Sequence, residues 1–316
     1  PDLVVVAPAT ANIIAKMANG IADDLISTTL LATPRPIVIA PAMNNGMWKA
    51  PATQANMATL RDRGVHVVGP GSGYLACGDV DTGRMSEPED IVEAICEVLN
   101  PAPQDLAGKR IVITAGPTHE PIDPVRFIGN RSSGKMGIAL AREAARRGAE
   151  VTLVLGPTSL DVPGGMECVR VQTAAEMLQA AASAFQTADA AICAAAVADY
   201  TPATPADHKL KKSNERLDRI ELVETVDILA ELSRQKGERR VIGFAAETDN
   251  VVEYAQRKLA RKGCDAIIAN DVSRADSGFG TDTNKAWIVS TAGTQELPVL
   301  TKPQLADTIL DLLQNI

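Results

Sequence analysis

The stretch Phe127-Ile-Gly-Asn-Arg-Ser-Ser-Gly-Lys-Met-Gly137 decides how the second half of this chain folds. A predicted strand, Arg110–Thr114, precedes it, a helical pattern begins at about Gly134, and a second predicted strand follows at Glu150–Leu155. Strand, glycine-rich loop, helix and strand form a βαβ unit. The helix N-terminus of such a unit presents free backbone N–H groups and the positive end of the helix dipole. The stretch therefore predicts a site for an anion such as a phosphate.

Two common nucleotide motifs fit this stretch only in part. Residues 129–135 match the start of a Walker A loop, but Met136 occupies the position of the Ser or Thr that would hold Mg²⁺. A Rossmann G-x-G-x-x-G needs a third glycine, and only Gly134 and Gly137 have the right spacing. Two glycines alone would suggest simple packing of a helix on a sheet. Anion binding is favoured by the polar residues of the same turn, which are Asn130, Ser132, Ser133 and Lys135.

Composition excludes several classes of function. The net charge of −8 over 316 residues argues against nucleic-acid and anionic-membrane surfaces, which need a basic face. No apolar run approaches the ~20 residues of a transmembrane helix. The five scattered cysteines do not suggest a disulfide framework and favour a reducing, cytoplasmic setting. We therefore expect a cytoplasmic protein with neither a nucleic-acid nor a membrane partner.

The first half shows predicted strands at Leu3–Ala7 and Ile37–Ala40, and each ends in a polar loop. The loops are Pro8–Asn12 and Pro41–Asn44. Because ligands of parallel sheets bind at the carboxyl ends of strands, both loops lie where a site is expected. Either loop alone is equally consistent with an ordinary turn. A later glycine-rich loop carries Cys77, which we interpret as a proton donor on a lid, although a lone cysteine is more often inert filler.

The predicted fold class is α/β, with two Rossmann-like parallel-sheet domains. A polar, proline-containing linker at residues 100–108 separates a domain at 1–99 from one at 109–316. Because the chain opens at Pro1-Asp2 directly into a strand, the sequence predicts that the first, flavoprotein-like domain is incomplete.

Beyond the βαβ unit, the second half offers further candidate residues. Small side chains in Ala195–Asp199 follow a predicted strand and would let a ligand approach the main chain, or would serve close packing equally well. The polar segment Tyr200–Arg219 is predicted to lack regular structure and to form a lid. It carries the basic cluster Lys209-Leu-Lys-Lys212, which in isolation would be read as a solvated face. Lys258 and Lys262 share one helix face, where they could hold phosphates or face solvent.

Taken together, these stretches resemble a bifunctional family of coenzyme A biosynthesis, in which phosphopantothenoylcysteine decarboxylase is fused to phosphopantothenate–cysteine ligase. The decarboxylase-like stretches are Pro41-Ala-Met-Asn-Asn-Gly-Met-Trp48, Ala76-Cys-Gly-Asp79 and Gly83-Arg-Met85. The ligase-like stretches are Thr114–Thr118, Asn130–Gly137, Ala194–Tyr200, Lys209–Lys212 and Gly243–Thr248. The resemblance covers essentially the whole chain.

For the ligase, the resemblance implies that CTP and Mg²⁺ convert phosphopantothenate into an acyl-cytidylate, from which the amine of cysteine displaces CMP. Asn130 and Lys209 would be catalytic, and Arg126, Ala195, Ala196 and Asp199 would bind substrate. The implied nucleotide-binding residues are Gly116, Ser132, Gly134, Gly137, Asp199, Lys209, Asp227, Phe244, Lys258, Lys262 and Asn270. Arg126 would reach the substrate of a neighbouring subunit, which implies a homo-oligomer with at least a ligase-domain dimer. The resemblance names no metal ligands.

For the decarboxylase, the resemblance implies FMN as cofactor. Thr10 and Asn12 would contact the flavin, Asn44 would hold the departing carboxylate, and Cys77 would supply a proton. The family's histidine and first βα unit would lie before Pro1, so we expect this chain to ligate but not to decarboxylate. Two further departures are Asp81 in place of the usual Gly and Thr225-Val-Asp227 in place of Asn-Pro-Asp.

Two other functions remain open from the sequence. A P-loop-like NTPase would hydrolyse nucleotide without phosphopantothenate or cysteine. A flavoprotein-derived regulatory subunit would bind a partner enzyme and catalyse nothing. The presence of Asn130, Asp199 and Lys209 argues against the second alternative, because a binding module need not keep them.

Overall fold

The computed structural model describes residues 1–74, 80–211, 219–274, 276–278 and 280–315. The chain forms two compact units, Pro1–Ala102 and Pro103–Ile316, which divide inside the proline-containing segment 100–108. Within the described ranges, none of the helices combines the length and the apolar character that crossing a membrane requires. Cys77 lies outside these ranges.

The first unit is built on a three-stranded parallel sheet in the order β1-β2-β3. Its core includes Ile14, Ile39, Met57 and Leu60, all almost fully buried. Helix α1 ends at Asn19, and Gly20 caps it with a left-handed backbone. The elements are β1 (Val4–Ala9), α1 (Ala11–Asn19), α2 (Leu25–Ala32), β2 (Ile37–Pro41), α3 (Asn45–Lys49), α4 (Pro51–Asp62), β3 (His66–Val67), β4 (Gly71–Tyr74), β5 (Val80–Arg84) and α5 (Pro88–Leu99).

The second unit contains the remaining strands and helices of the described chain. Its first part runs β6 (Arg110–Ala115), β7 (His119–Pro121), β8 (Phe127–Gly129), α6 (Lys135–Arg146), β9 (Glu150–Leu155), β10 (Glu167–Arg170), α7 (Ala174–Phe185), β11 (Ala190–Cys193) and β12 (Tyr200–Pro202). Its second part runs β13 (Leu222–Glu224), α8 (Ile228–Gln235), β14 (Arg240–Glu247), α9 (Val251–Lys262), β15 (Ala266–Asp271), β16 (Thr283–Ser290), β17 (Gly293–Thr301) and α10 (Lys302–Asn315).

The main sheet of this unit has eight strands in the order β10-β9-β6-β11-β14-β15-β16-β17. The first six are parallel, and their order in space is the 3-2-1-4-5-6 arrangement of a Rossmann fold. The last two strands pair antiparallel as a hairpin. Because β6 leads to β9 on one side and β11 lies on the other, the topological switch point falls between β6 and β11. Ligands of such sheets bind outside the carboxyl ends of the strands at that point.

Alternation along the strands divides the core into two layers. Ile111 and Ile113 of β6 pack with helices α6 and α10 on one face of the sheet. Val112 packs with helices α7, α8 and α9 on the other face. The sheet is therefore covered on both sides, as the continuous apolar strands predict.

The prediction that residues 200–219 lack regular structure is wrong at one end. Tyr200–Pro202 forms strand β12, which pairs antiparallel with β13. The opening stretch of the βαβ loop is also partly extended, because Phe127–Gly129 pairs with His119–Pro121. Strands of three residues are too short to show a period of two, and their partners lie several residues away in the chain. The local pattern therefore gave no sign of either ribbon.

Candidate active site

A cavity of about 870 Å³ lies at the switch point of the second unit. Its walls come from the N-terminus of α6, the segment after β11, the N-terminus of α8, helix α9 and the chain around residues 278–284. Most of the predicted ligase residues line it: Asn130, Ser132, Gly134, Gly137, Ala195, Ala196, Asp199, Asp227, Phe244, Lys258, Lys262 and Asn270. Residues from well-separated stretches of sequence therefore converge on one site.

Three predicted residues are not among those that line the cavity. Gly116 has a left-handed backbone and packs against Gly134. A Cβ added to Gly134 would lie 3.4 Å from the Cα of Gly116. The Arg126 guanidinium donates to the buried carboxylate of Asp123 and, at 3.0 Å, to the backbone oxygen of Leu210. Lys209, next to Leu210, is exposed. Arg126 thus anchors the lysine-bearing segment in this chain.

The N-terminus of α6 is shaped by two glycines that serve different purposes. Gly134 is the N-cap and adopts a left-handed backbone, with φ 84°. Gly137 is buried against β6, where an added Cβ would lie 2.3 Å from the Cβ of Ala115. The packing explanation weighed for these glycines therefore applies to Gly137. The Ser132 hydroxyl accepts from Gly134 N–H at 3.3 Å, and the Ser133 hydroxyl accepts from Lys135 N–H at 3.5 Å.

Asn130 connects the glycine-rich loop to the segment after β11. Its Nδ2 donates to the backbone oxygens of Ala196, at 2.9 Å, and Val197, at 3.0 Å. The same segment is held from β6, because the Ala195 N–H donates to the Thr114 hydroxyl at 3.3 Å. The alanine segment is thereby fixed at the cavity wall, and the Asn130 amide oxygen is the part of that side chain left for other groups.

The two lysines of α9 are bonded within the protein. Lys262 forms a salt bridge with Asp227, whose other carboxylate oxygen caps α8 by accepting from Ala230 N at 3.0 Å. Lys258 Nζ donates to the backbone oxygen of Phe244 at 2.7 Å, and burial lowers the pKa of this ammonium. Two ammonium groups therefore stand beside Phe244 and Asp227, and the charge of Lys262 is paired with that of Asp227.

The cavity residues that sequence reasoning missed include Lys302 and Asn284. Lys302 is the first residue of α10, and its Nζ donates to Asn284 Oδ1 at 2.6 Å. The sequence contained one signal for Lys302. A lysine at a helix N-terminus is unfavourable, because its charge faces the positive end of the dipole. Such a lysine calls for a reason beyond helix stability.

The carboxyl edge of the first unit carries the other predicted residues. Thr10 caps α1 by accepting from Ile13 N at 3.4 Å, and Asn12 is exposed on the first turn. Asn44 caps α3 by accepting from Gly46 N at 2.8 Å. Because β1 and β2 are parallel neighbours, these residues follow strands that end at one edge. Neutral donors and acceptors of this kind fit the polar groups of a flavin.

Cys77 belongs to the segment between β4 and β5 and lies outside the described residues. Strand β5, which follows this segment, is held near Asn44, because Met43 N donates to the backbone oxygen of Gly83 at 2.9 Å. Asp81 forms a salt bridge with Lys49 and accepts from Asn45 Nδ2 at 3.0 Å. The residue that departs from the family pattern thus ties β5 to helix α3.

Comparison with known proteins places both units. Residues 106–316 match the family model described as the DNA/pantothenate metabolism flavoprotein C-terminal domain, and residues 1–100 match the model described as flavoprotein. The fold and the two matches define a two-part α/β protein of the pantothenate flavoprotein class. The chain is 50% identical to the coenzyme A biosynthesis bifunctional protein CoaBC of Bacillus subtilis, over 100% of this chain and 77% of that protein. It is 49% identical to CoaBC of Escherichia coli K12, over 98% of this chain and 77% of that protein. The chain belongs to this family of bifunctional coenzyme A biosynthesis proteins.

Solved structures agree with the assignment. The crystal structure of the C-terminal domain of a CoaBC protein has a TM-score of 0.56 and 46% identity, over 66% of this chain and 95% of that chain. The DNA/pantothenate metabolism flavoprotein from Streptococcus pneumoniae has a TM-score of 0.56 over 66% of this chain and 98% of that chain. At 24% identity, the second structure supports the fold alone.

These findings confirm the predicted family, the α/β fold class and a function in coenzyme A biosynthesis with ligase and decarboxylase activities. The match of residues 1–100 to a flavoprotein supports the predicted flavin. The comparisons do not favour a P-loop-like NTPase or a non-catalytic regulatory subunit.

Proposed function

We propose that the second unit ligates cysteine to phosphopantothenate at the expense of CTP. The phosphopantothenate carboxylate attacks the α-phosphorus of CTP, and the bond to pyrophosphate breaks. The amine of cysteine then attacks the acyl carbon, loses a proton and expels CMP. The observation that carries the proposal is the convergence of the predicted nucleotide and substrate residues on one cavity of about 870 Å³.

The chemistry suits the charges around this cavity. A carboxylate and a triphosphate repel each other, so their approach needs positive charge and oriented donors. The α6 N-terminus supplies donors, and Lys258 and Lys262 supply charge. The described residues contain no cluster of three His, Cys, Asp or Glu that could hold a metal ion. We therefore assign the Mg²⁺ mainly to the phosphates and water, which is its usual mode of binding with nucleotides.

The pantothenate part is assigned to the segment after β11. Ala195 and Ala196 leave room for a chain to lie along the backbone, and Asp199 can accept from a hydroxyl or amide. Arg126 is assigned to the substrate of a neighbouring subunit, so the active form would be at least a dimer of this unit.

The decisive experiment for the ligase measures pyrophosphate release from CTP and phosphopantothenate, with and without cysteine. Release that requires phosphopantothenate, together with phosphopantothenoylcysteine formation when cysteine is added, is the expected result. ATP in place of CTP tests the nucleotide preference. Hydrolysis of CTP without phosphopantothenate would contradict the proposal.

For the first unit, Thr10 and Asn12 would hold the FMN, and Asn44 would hold the substrate carboxylate. When bound, the flavin supplies a two-electron acceptor for the cysteinyl thiol, which allows CO₂ to leave. Cys77 would return a proton to the product. Visible absorbance of the purified protein and CO₂ release from phosphopantothenoylcysteine test this assignment. In a preparation that does release CO₂, the Asn44→Ala variant should retain the flavin absorbance and lose the CO₂ release.

Sharing of the ligase site between subunits predicts complementation. Arg126→Ala and Asn130→Asp are each expected to be nearly inactive alone. A mixture unfolded and refolded together should regain measurable ligation, because mixed dimers contain one intact site. Each variant refolded alone is the control. If the mixture gains no ligase activity, Arg126 does not act on the substrate of the neighbouring subunit.

Lys209→Gln tests the basic segment. Because Lys209 is exposed, the variant should melt at the wild-type temperature. Pyrophosphate release from CTP should slow by ~10-fold, as expected for loss of one charged contact to phosphate. Lys211→Gln, two residues away and also exposed, is the matched control and should change the rate less. A lower melting temperature with unchanged kinetics would assign Lys209 a structural role.

A further inference from the structure

Lys302 is a buried cation on which the carboxylate of Asp282 acts without forming a salt bridge. Only 6% of the residue is exposed. Its Nζ donates to Asn284 Oδ1 at 2.6 Å and, more weakly, to the backbone oxygen of Gly278 at 3.5 Å. Both partners are neutral. Among the residues that the structure describes, no carboxylate forms a salt bridge with Lys302.

This position is costly for an ammonium group. A buried charge without a salt-bridge partner is strongly unfavourable, because the protein interior replaces its hydration only in part. The group also stands at the first residue of α10, against the positive end of the helix dipole. Burial and the nearby Lys135 lower the pKa of the Lys302 ammonium to about 8. An anion that enters from the cavity would remove this cost.

The neighbouring Lys135 has a carboxylate partner, whereas Lys302 does not form a salt bridge with any described residue. Lys135 Nζ forms a salt bridge of 2.7 Å with Asp282 and donates to the backbone oxygen of Gly280 at 3.0 Å. Its charge is therefore already balanced by a carboxylate whose side chain is 87% exposed. The charged groups that influence Lys302 are Lys135 from α6 and Asp282 from the loop before β16. Of the two ammonium groups, Lys302 is the one that lacks an acidic partner in the described chain.

We propose that Lys302 binds the two phosphates that leave as pyrophosphate, and that Asn284 positions its ammonium group. The inference rests on the proposed ligase function. Lys302 lies near Lys135, the first residue of α6, whereas Lys258 and Lys262 stand beside Phe244 and Asp227. When the bond between the α- and β-phosphates breaks, negative charge accumulates on the leaving pyrophosphate. An ammonium group at that end stabilises the departing charge.

The test is a calorimetric titration with magnesium pyrophosphate, CMP and phosphopantothenate as separate probes. Lys302→Met should weaken pyrophosphate binding by ~30-fold, the loss expected for a charged hydrogen bond, and leave CMP binding unchanged. Lys302→Arg should recover part of the affinity. Lys285→Met is the matched control, because Lys285 is also largely buried but pairs with Glu296 and does not line the cavity.

Lys302→Gln keeps the test informative if Lys302→Met does not fold. The neutral amide can still donate to Asn284 and needs no counter-charge, so the variant should fold at least as well as wild type but bind pyrophosphate more weakly. If Lys302 is merely structural, this variant should bind pyrophosphate as wild type does. Weakened phosphopantothenate binding with unchanged pyrophosphate binding would also overturn the inference.

The pH dependence gives an independent readout. The Lys302 ammonium is protonated below pH 8 and loses its proton as the pH rises through about 8. Pyrophosphate affinity of the wild type should therefore fall over that range more steeply than that of Lys302→Arg, which stays charged. Equal profiles would contradict the assignment. If wild type binds neither CTP nor pyrophosphate, the proposed ligase function fails. If it binds both and the Lys302 variants match it, only this inference fails.

Discussion

Replacing Asn130 with aspartate is expected to slow amide formation by ~10²–10³-fold, the size of effect seen when the electrostatic complementarity of a site of developing charge is disturbed. Pyrophosphate release in the first half-reaction should slow much less. The two effects separate because the first half-reaction depends mainly on phosphate contacts, whereas the second requires cysteine to approach the acyl carbon of a negatively charged intermediate.

The geometry around Asn130 explains why the charge matters. The amide Nδ2 donates to the backbone oxygens of Ala196 and Val197 at 2.9 and 3.0 Å. A carboxylate cannot donate, so aspartate would bring a negative oxygen against two carbonyl oxygens. The loop would move away from the alanine segment, and the new charge would repel the acyl-cytidylate. In the wild type, we propose that the amide oxygen accepts from the incoming amine.

Mass spectrometry of the variant with CTP and phosphopantothenate should show accumulated acyl-cytidylate, and single-turnover kinetics with added cysteine should show the slow step. Asn130→Ala is the companion variant, because it removes the two donated hydrogen bonds without adding charge. It should be less impaired than Asn130→Asp. Wild-type turnover by the aspartate variant would remove Asn130 from the mechanism.

Long, regular elements of the fold could be predicted from sequence. Strand Glu150–Leu155 has the predicted bounds, and the helix predicted to carry Lys258 and Lys262 is α9, because an apolar strand and a 3.6-residue period are local signals. The glycine-rich turn could be predicted for the same reason. The two-stranded ribbons β7–β8 and β12–β13 could not be predicted, because the pairing of three-residue strands is decided by residues distant in sequence.

The candidate site was predictable where one motif carried several residues, as in Asn130–Gly137. It was less predictable where a side chain's partner comes from another segment. Lys258 and Lys262 were placed on one helix face, but their bonds to Phe244 O and Asp227 depend on the approach of β14 and α8 to α9. Lys302 follows a β-hairpin near the end of the chain, where its place at a helix N-terminus is the one local signal, and its burial is seen only in the folded protein.

Gly137 makes the strongest prediction about stability. A Cβ at this position would lie 2.3 Å from the Cβ and 2.9 Å from the Cα of Ala115, where α6 packs on β6. Carbon atoms in contact prefer about 3.5–4 Å, so the helix must move by more than 1 Å or the strand must give way. Overpacking of this kind costs ~1–3 kcal/mol or more. The better helix propensity of alanine returns only ~1 kcal/mol, so destabilisation wins.

Gly137→Ala is therefore expected to lower the free energy of unfolding by about 2 kcal/mol, the balance of the overpacking and propensity effects. It should also weaken CTP binding, because displacement of α6 moves the backbone donors at its N-terminus. Denaturant unfolding and CTP titration measure the two effects. Gly164→Ala is the matched control, because no atom lies within 4 Å of its added Cβ. Adding Ala115→Gly to Gly137→Ala removes the nearest clash and should recover part of both losses. A Gly137→Ala variant as stable as wild type would show that β6 and α6 can separate freely, and the α6 N-terminus could not then be a rigid phosphate site.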